Sequence, residues 1–139
     1  MSETSGARAA RPVFRNIGVG EIANYRLPPS GIVSILHRVS GALLFLLGIP
    51  VVLYLLQLSL DSAASYQRFT EIAGGVFFRL VVLVLLWAFF HHLCAGIRFL
   101  LLDLHIGLEK ASARTSALAV LGATGVLTLI AAAKLFGVF

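Results

Sequence analysis

Residues 31–58 read GIVSILHRVSGALLFLLGIPVVLYLLQL, and residues 75–104 read GVFFRLVVLVLLWAFFHHLCAGIRFLLLDL. Each run is long enough to cross about 30 Å of hydrocarbon as a helix. Each also carries ionisable side chains where lipid tolerates few: His37 and Arg38 in the first, His91, His92, Arg98 and Asp103 in the second. Such groups are costly in hydrocarbon, and they persist where they face a partner, a cofactor or a water-filled cavity. Their number points to a buried ligand, held by imidazole and charge, inside a membrane bundle.

The rest of the chain agrees. It has 139 residues, 59% hydrophobic and 12% charged, with a mean hydropathy of +0.97. A soluble domain carries about a quarter charged residues, so lipid must solvate most of this exterior. The net charge is +5 and the pI about 10.2. No basic stripe alternates with aromatics, and the basic residues instead flank apolar runs. That pattern fits membrane topology and argues against nucleic acid as a partner. The one cysteine, Cys94, lies inside an apolar run and reads as a small buried residue. Residues 1–30 lack the apolar core and cleavage site of a secretory signal, so the first run is expected to be kept as a span.

The expected fold is an all-α membrane protein with three transmembrane helices, at about 31–58, 75–104 and 115–136. Residues 1–30, Arg-rich and broken by Pro12, Pro28 and Pro29, read as a polar cytoplasmic arm. Ser30 is the expected N-cap of the first span. Residues 31–136 form the anchor. Pro50 lies within the first span, where a bundle tolerates a kink or a local adjustment. Residues 59–74 read as a short polar connection that can hold a helical turn, and 105–114 as a polar turn. The third run is rich in small residues, Gly122, Ala123 and Gly125 among them, which lets helices approach closely in lipid. Arg8, Arg11, Arg15 and Arg26 on the arm and Lys110 and Arg114 on the second turn place both on the cytoplasmic side.

His92, Gly96, Phe99 and Asp103 follow helical spacing and share a face. An imidazole with a glycine one turn away suits a flat macrocycle, with nitrogen for the iron and room for the ring. His91, Ala95 and Arg98 lie on a neighbouring face. In the first span Ser34, Arg38 and Gly41 share a face, with His37 beside it. Arg and His near a membrane interface suit anionic groups such as porphyrin propionates. If the spans are antiparallel, these polar groups converge on the cytoplasmic half of the bundle. His105 falls in a turn, so no second axial ligand is found within the chain.

The run Ser34-Ile35-Leu36-His37-Arg38-Val39-Ser40-Gly41, with His92-Leu93-Cys94-Ala95-Gly96-Ile97-Arg98 and then Asp103, resembles the succinate dehydrogenase cytochrome b subunit family, the larger membrane anchors of respiratory complex II. The resemblance runs from Arg11-Pro12 through the third span. It implies half of an anchor bundle that binds heme b. The partner is a second small three-helix anchor, which supplies the other heme histidine. An iron–sulfur subunit and a flavoprotein subunit complete the complex, in which electrons from succinate reach ubiquinone. Carried over by position, His92 matches the axial ligand of the heme iron. His37 and Arg38 match groups at the propionates, and Ser34 and Arg38 the ubiquinone site. Asp103 matches an acidic residue of lesser standing there. His91 directly precedes His92, so a swapped ligand stays open, although His92 has the motif spacing to Gly96. Phe99 stands where many relatives carry a histidine. The arm lacks the Ser-Pro-His-Leu of mitochondrial members, which implies a bacterial inner-membrane chain. Two other readings remain: an anchor of a fumarate reductase, and a heme-free structural anchor. A proton or ion transporter is disfavoured, because Thr115, Ser116, Thr124 and Thr128 of the third span do not titrate near neutral pH.

Overall fold

The computed structural model describes Gly18, Gly20 and residues 24–138. Most of the expected arm, residues 1–30, therefore lies outside the described residues. Five α-helices follow: α1 (Pro29–Leu43), α2 (Ile49–Leu60), α3 (Ala63–Gly74), α4 (Val76–Asp103) and α5 (Lys110–Leu135). A π-helical turn, Leu44–Gly48, joins α1 to α2. Three stretches are long and apolar enough to cross a membrane: Pro29–Leu60, Val76–Asp103 and Lys110–Leu135.

The first span is capped two residues before the expected Ser30. Pro28 is the N-cap, with extended backbone and no side-chain cap, and Pro29 sits in the first turn. Proline suits that turn because its fixed φ is helical and its missing N–H would have had no partner. The N–H groups of Gly31 and Ile32 both donate to the Pro28 carbonyl, at 2.9 and 3.1 Å. Further along, Pro50 has no N–H for the carbonyl four residues back, and its ring crowds that carbonyl. The helix absorbs this by widening one turn: the Ile49 N–H donates to the Leu44 carbonyl, five residues back. The span thus adjusts at Pro50 without breaking.

Residues 59–74 hold more structure than a turn. Ser62 and Ser65 cap α3 reciprocally. The Ser65 N–H donates to Ser62 Oγ at 3.1 Å, and the Ser62 N–H to Ser65 Oγ at 2.8 Å. The third span also begins five residues before its expected start, at Lys110. Its polar first turns, Lys110 to Arg114, include the good helix formers Lys, Ala and Arg, so polarity there marks the membrane surface and not the helix end.

The α4–α5 connection is fixed by a Schellman closure. His105 takes φ 63°, and its N–H reaches the Leu102 carbonyl at 2.9 Å while the Ile106 N–H reaches Leu101 at 3.0 Å. Gly137, at φ 73°, closes α5 in the same way.

The three spans pack against one another pairwise. Val33 of α1, Ala95 of α4, and Ala117 and Val120 of α5 form the core. These are mostly small residues, as expected where van der Waals contact, not expulsion of water, joins helices. Val33 meets Ala95 near the start of the α1–α2 span, and Gly48, further along it, meets Leu85, so the first and second spans run antiparallel. On α5 the packing face is Ala117, Val120 and Thr124. Gly122 and Gly125 point away from it, with nothing within 4 Å of where a Cβ would stand. The small-residue run does pack, but through different members than its glycines.

Candidate functional site

The α1–α4 crossing brings together the two histidines that the motifs single out. The rings of His37 and His92 stack face to face, 4.1 Å between centroids and 8° from parallel. Phe99 closes edge-on against His37 at 5.1 Å. His92 Nδ1 lies 3.1 Å from the His37 carbonyl oxygen and 3.3 Å from Ser40 Oγ. A carbonyl only accepts, so Nδ1 carries the proton. Ser40 is fully buried, and its own hydroxyl donates to the same carbonyl at 2.9 Å, which leaves its lone pair turned to Nδ1–H.

The consequence is a fixed tautomer. Nδ1 is committed to α1, and Nε2 keeps its lone pair and makes no hydrogen bond among the described residues. His37 covers the face of the His92 ring, and the His92 side chain as a whole is half-buried.

Gly41 makes this contact possible. A Cβ there would stand 2.9 Å from His92 Cε1 and 3.3 Å from Nδ1. Gly96, which sequence spacing offers as the space-maker, is less confined: its Cβ would meet His37 Nε2 at 3.7 Å, ordinary contact. Ser40 was not among the residues singled out by motif reasoning, because nothing local marks it. Its signal is the small pair Ser40-Gly41 one turn after His37, readable only once α4 is known to cross there.

His91 is held differently. It is 1% exposed, within the packed three-helix interior. Its ring stacks on Trp87 at 5.9 Å, and its Nδ1 lies 3.5 Å from Thr124 Oγ1. Its Nε2 is buried without a hydrogen-bond partner. The Val33 backbone lies beside the ring without closing a hydrogen bond of normal geometry. A macrocycle on His91 would have to part the spans.

The remaining polar residues do not all converge. Arg98 is 6% exposed and turns to α5, donating from Nε to Ser116 Oγ at 3.0 Å and from Nη2 to the Ala113 carbonyl at 3.1 Å. Ser34 is half-buried on α1, while Arg38 and Asp103 are exposed. None of these three makes a side-chain hydrogen bond or ion pair among the described residues. No cluster of three or more metal-ligating side chains occurs among the described residues.

Residues 8–131 match the family described as succinate dehydrogenase/fumarate reductase transmembrane subunit. The chain belongs to that family. It is 36% identical over 98 residues to the succinate dehydrogenase cytochrome b556 subunit of Coxiella burnetii, covering 70% of this chain and 78% of that one. With the protein of the same name from Paracoccus denitrificans it is 28% identical over 123 residues, covering 88% and 90%. Family and helices together make it a multi-pass membrane protein and a cytochrome b-type membrane subunit of a succinate dehydrogenase. The all-helical fold with three candidate membrane helices and the resemblance expected from the sequence both hold.

Proposed function

We propose that this chain supplies one half of a heme b pocket and part of a ubiquinone site, at the point where electrons from succinate oxidation leave the soluble subunits for the membrane. The observation that carries the reading is the fixed tautomer of His92. Histidines that ligate metals are typically held by their second nitrogen through a carbonyl or carboxylate. Here Nδ1–H is tied to the His37 carbonyl and Ser40, and Nε2 is left as the ligating atom. His91 offers no such nitrogen to the outside of the bundle, which favours His92 over its neighbour.

The residues present fit a heme with one axial ligand from this chain and the other from a histidine of a second three-helix anchor. The heme, when bound, supplies one-electron chemistry. His37 and Arg38 would offset propionate charge at the cytoplasmic end of α1. Ser34 would donate a hydrogen bond to a quinone oxygen. The fixed positive charge of Arg38 would favour the negative charge that develops there on reduction. Asp103, exposed at the end of α4, is the weaker contributor and would pass protons from the cytoplasmic surface. An iron–sulfur subunit and a flavoprotein subunit would dock on that surface. The chain holds the quinone and positions it, while the redox centres do the electron transfer. Lys110 and Arg114 on the same side as the arm support a cytoplasmic N-terminus in a bacterial inner membrane.

Reduced-minus-oxidised optical spectra of membranes test the ligand. His92→Ala should abolish the b-type α-band. His91→Leu should keep it, and should cost at most about 1 kcal/mol of stability, because it removes a buried nitrogen that already lacks a partner. A band that survives His92→Ala would refute the assignment and favour a heme-free anchor.

A further inference from the structure

Arg98 is a cation inside a membrane span, more than nine-tenths buried, and no carboxylate partners it among the described residues. Both of its hydrogen bonds end on neutral oxygens. A guanidinium has five N–H donors, so most of its donors are left over; the Phe99 ring lies 5.5 Å from its centre, and no anion among the described residues balances its charge. It forms one wall of a cavity of about 290 Å³ between α4 and α5. The cavity is amphiphilic. Arg98, Ser112 and Ser116 line its polar part, and Cys94, Ile97 and Val120 its apolar part. Ser112 Oγ makes no hydrogen bond among the described residues, so its hydroxyl is free to donate.

The cavity is separate from the histidine site. Successive helical residues turn by about 100°. Cys94 and Ile97 therefore face the side of α4 opposite His92 and Gly96. Arg98 lies five residues from the end of α4, about 7.5 Å along the axis, which is the depth of the headgroup boundary.

We propose that this cavity binds the phosphate of an anionic phospholipid. The phosphodiester would accept from the spare donors of Arg98 and from Ser112, and the acyl chains would follow the exposed apolar surface at Ile97 and Leu101. Basic pockets between membrane helices on the cytoplasmic side are suited to such headgroups. A zwitterionic headgroup fits less well, because it brings its own cation toward Arg98. The inference is independent of heme and quinone binding.

The test uses the assembled complex, purified in detergent and exchanged into mixed micelles of phosphatidylglycerol and phosphatidylcholine in equal amounts. Native mass spectrometry counts the lipids retained. Phosphatidylglycerol should be retained over phosphatidylcholine by roughly tenfold, the scale of one charge-assisted hydrogen bond. Arg98→Gln keeps amide donors for Ser116 and Ala113 and should bring the ratio to parity. Ile97→Trp fills the apolar wall without touching Arg98 and should do the same, which keeps the test available if the first variant fails to assemble. Equal retention of the two lipids by the unaltered complex, or an unchanged ratio in the assembled variants, overturns the proposal. So does thermal stabilisation by sodium phosphate equal to that by phosphatidylglycerol, since that assigns the cavity to a free anion.

Discussion

Replacing Gly41 by Ala puts a methyl group 2.9 Å from His92 Cε1 and 3.3 Å from Nδ1. Carbon atoms in good contact lie about 3.5–4.0 Å apart, so the ring must retreat by about 0.6–1.1 Å. It has little freedom to do so. The Nδ1 contacts to His37 and Ser40 are already 3.1 and 3.3 Å, and a retreat of that size takes both past hydrogen-bond range. Overpacking costs about 1–3 kcal/mol, and the better helix propensity of Ala returns about 1 kcal/mol. The fold should therefore lose only about 0–2 kcal/mol while the imidazole loses its orientation. Heme per assembled complex, measured as the pyridine hemochrome, should fall well below one, with the melting temperature moved by a few degrees at most. Gly48→Ala is the control. On the same span its Cβ would meet Leu85 and Leu44 at 3.6 and 3.7 Å, and heme content should not change. Full heme in Gly41→Ala, or equal loss in Gly48→Ala, would show that the α1–α4 crossing does not set the ligand.

Two further substitutions probe separate parts of the chain. Ser34→Ala should lower succinate-driven ubiquinone reduction roughly tenfold or more, the worth of a hydrogen bond to a group acquiring charge, while reduction of a soluble dye by succinate is retained; unchanged quinone turnover removes Ser34 from the site. His105→Gly should stabilise the complex by about 1 kcal/mol, because the left-handed conformation at φ 63° strains any residue with a Cβ, and a melting temperature that does not rise would show the turn to be unstrained.

The three spans were legible because length and apolarity suffice to mark a membrane helix. The polar margins were not. Residues 63–74 and 110–114 are helical, and polarity at a membrane surface looks the same in a helix as in a loop. The Ser62 and Ser65 pair was the available signal, and it lacks the acidic or amide residue that usually marks a capping box. At the site, spacing along α4 separates the face of His92 from that of His91 and Arg98. It does not say which neighbour each face meets. Spacing therefore groups Arg98 with the cytoplasmic cluster, although it is tied to α5. Ser40 and Gly41 gain their roles only from the register between two helices 52 residues apart in sequence, which no local pattern encodes.

The π-helical turn at Leu44–Gly48 gives the first span two orientations in one rod. Its extra residue advances every later side chain by about 100° relative to an unbroken α-helix. The stripe that begins with Val33, His37 and Ser40 therefore does not continue along Ile49–Leu60, where no residue is buried. The N-terminal half can answer to its neighbours within the chain while the C-terminal half presents an unrelated set of side chains to lipid or to another subunit. Sequence change in one half then leaves the other free of its constraints.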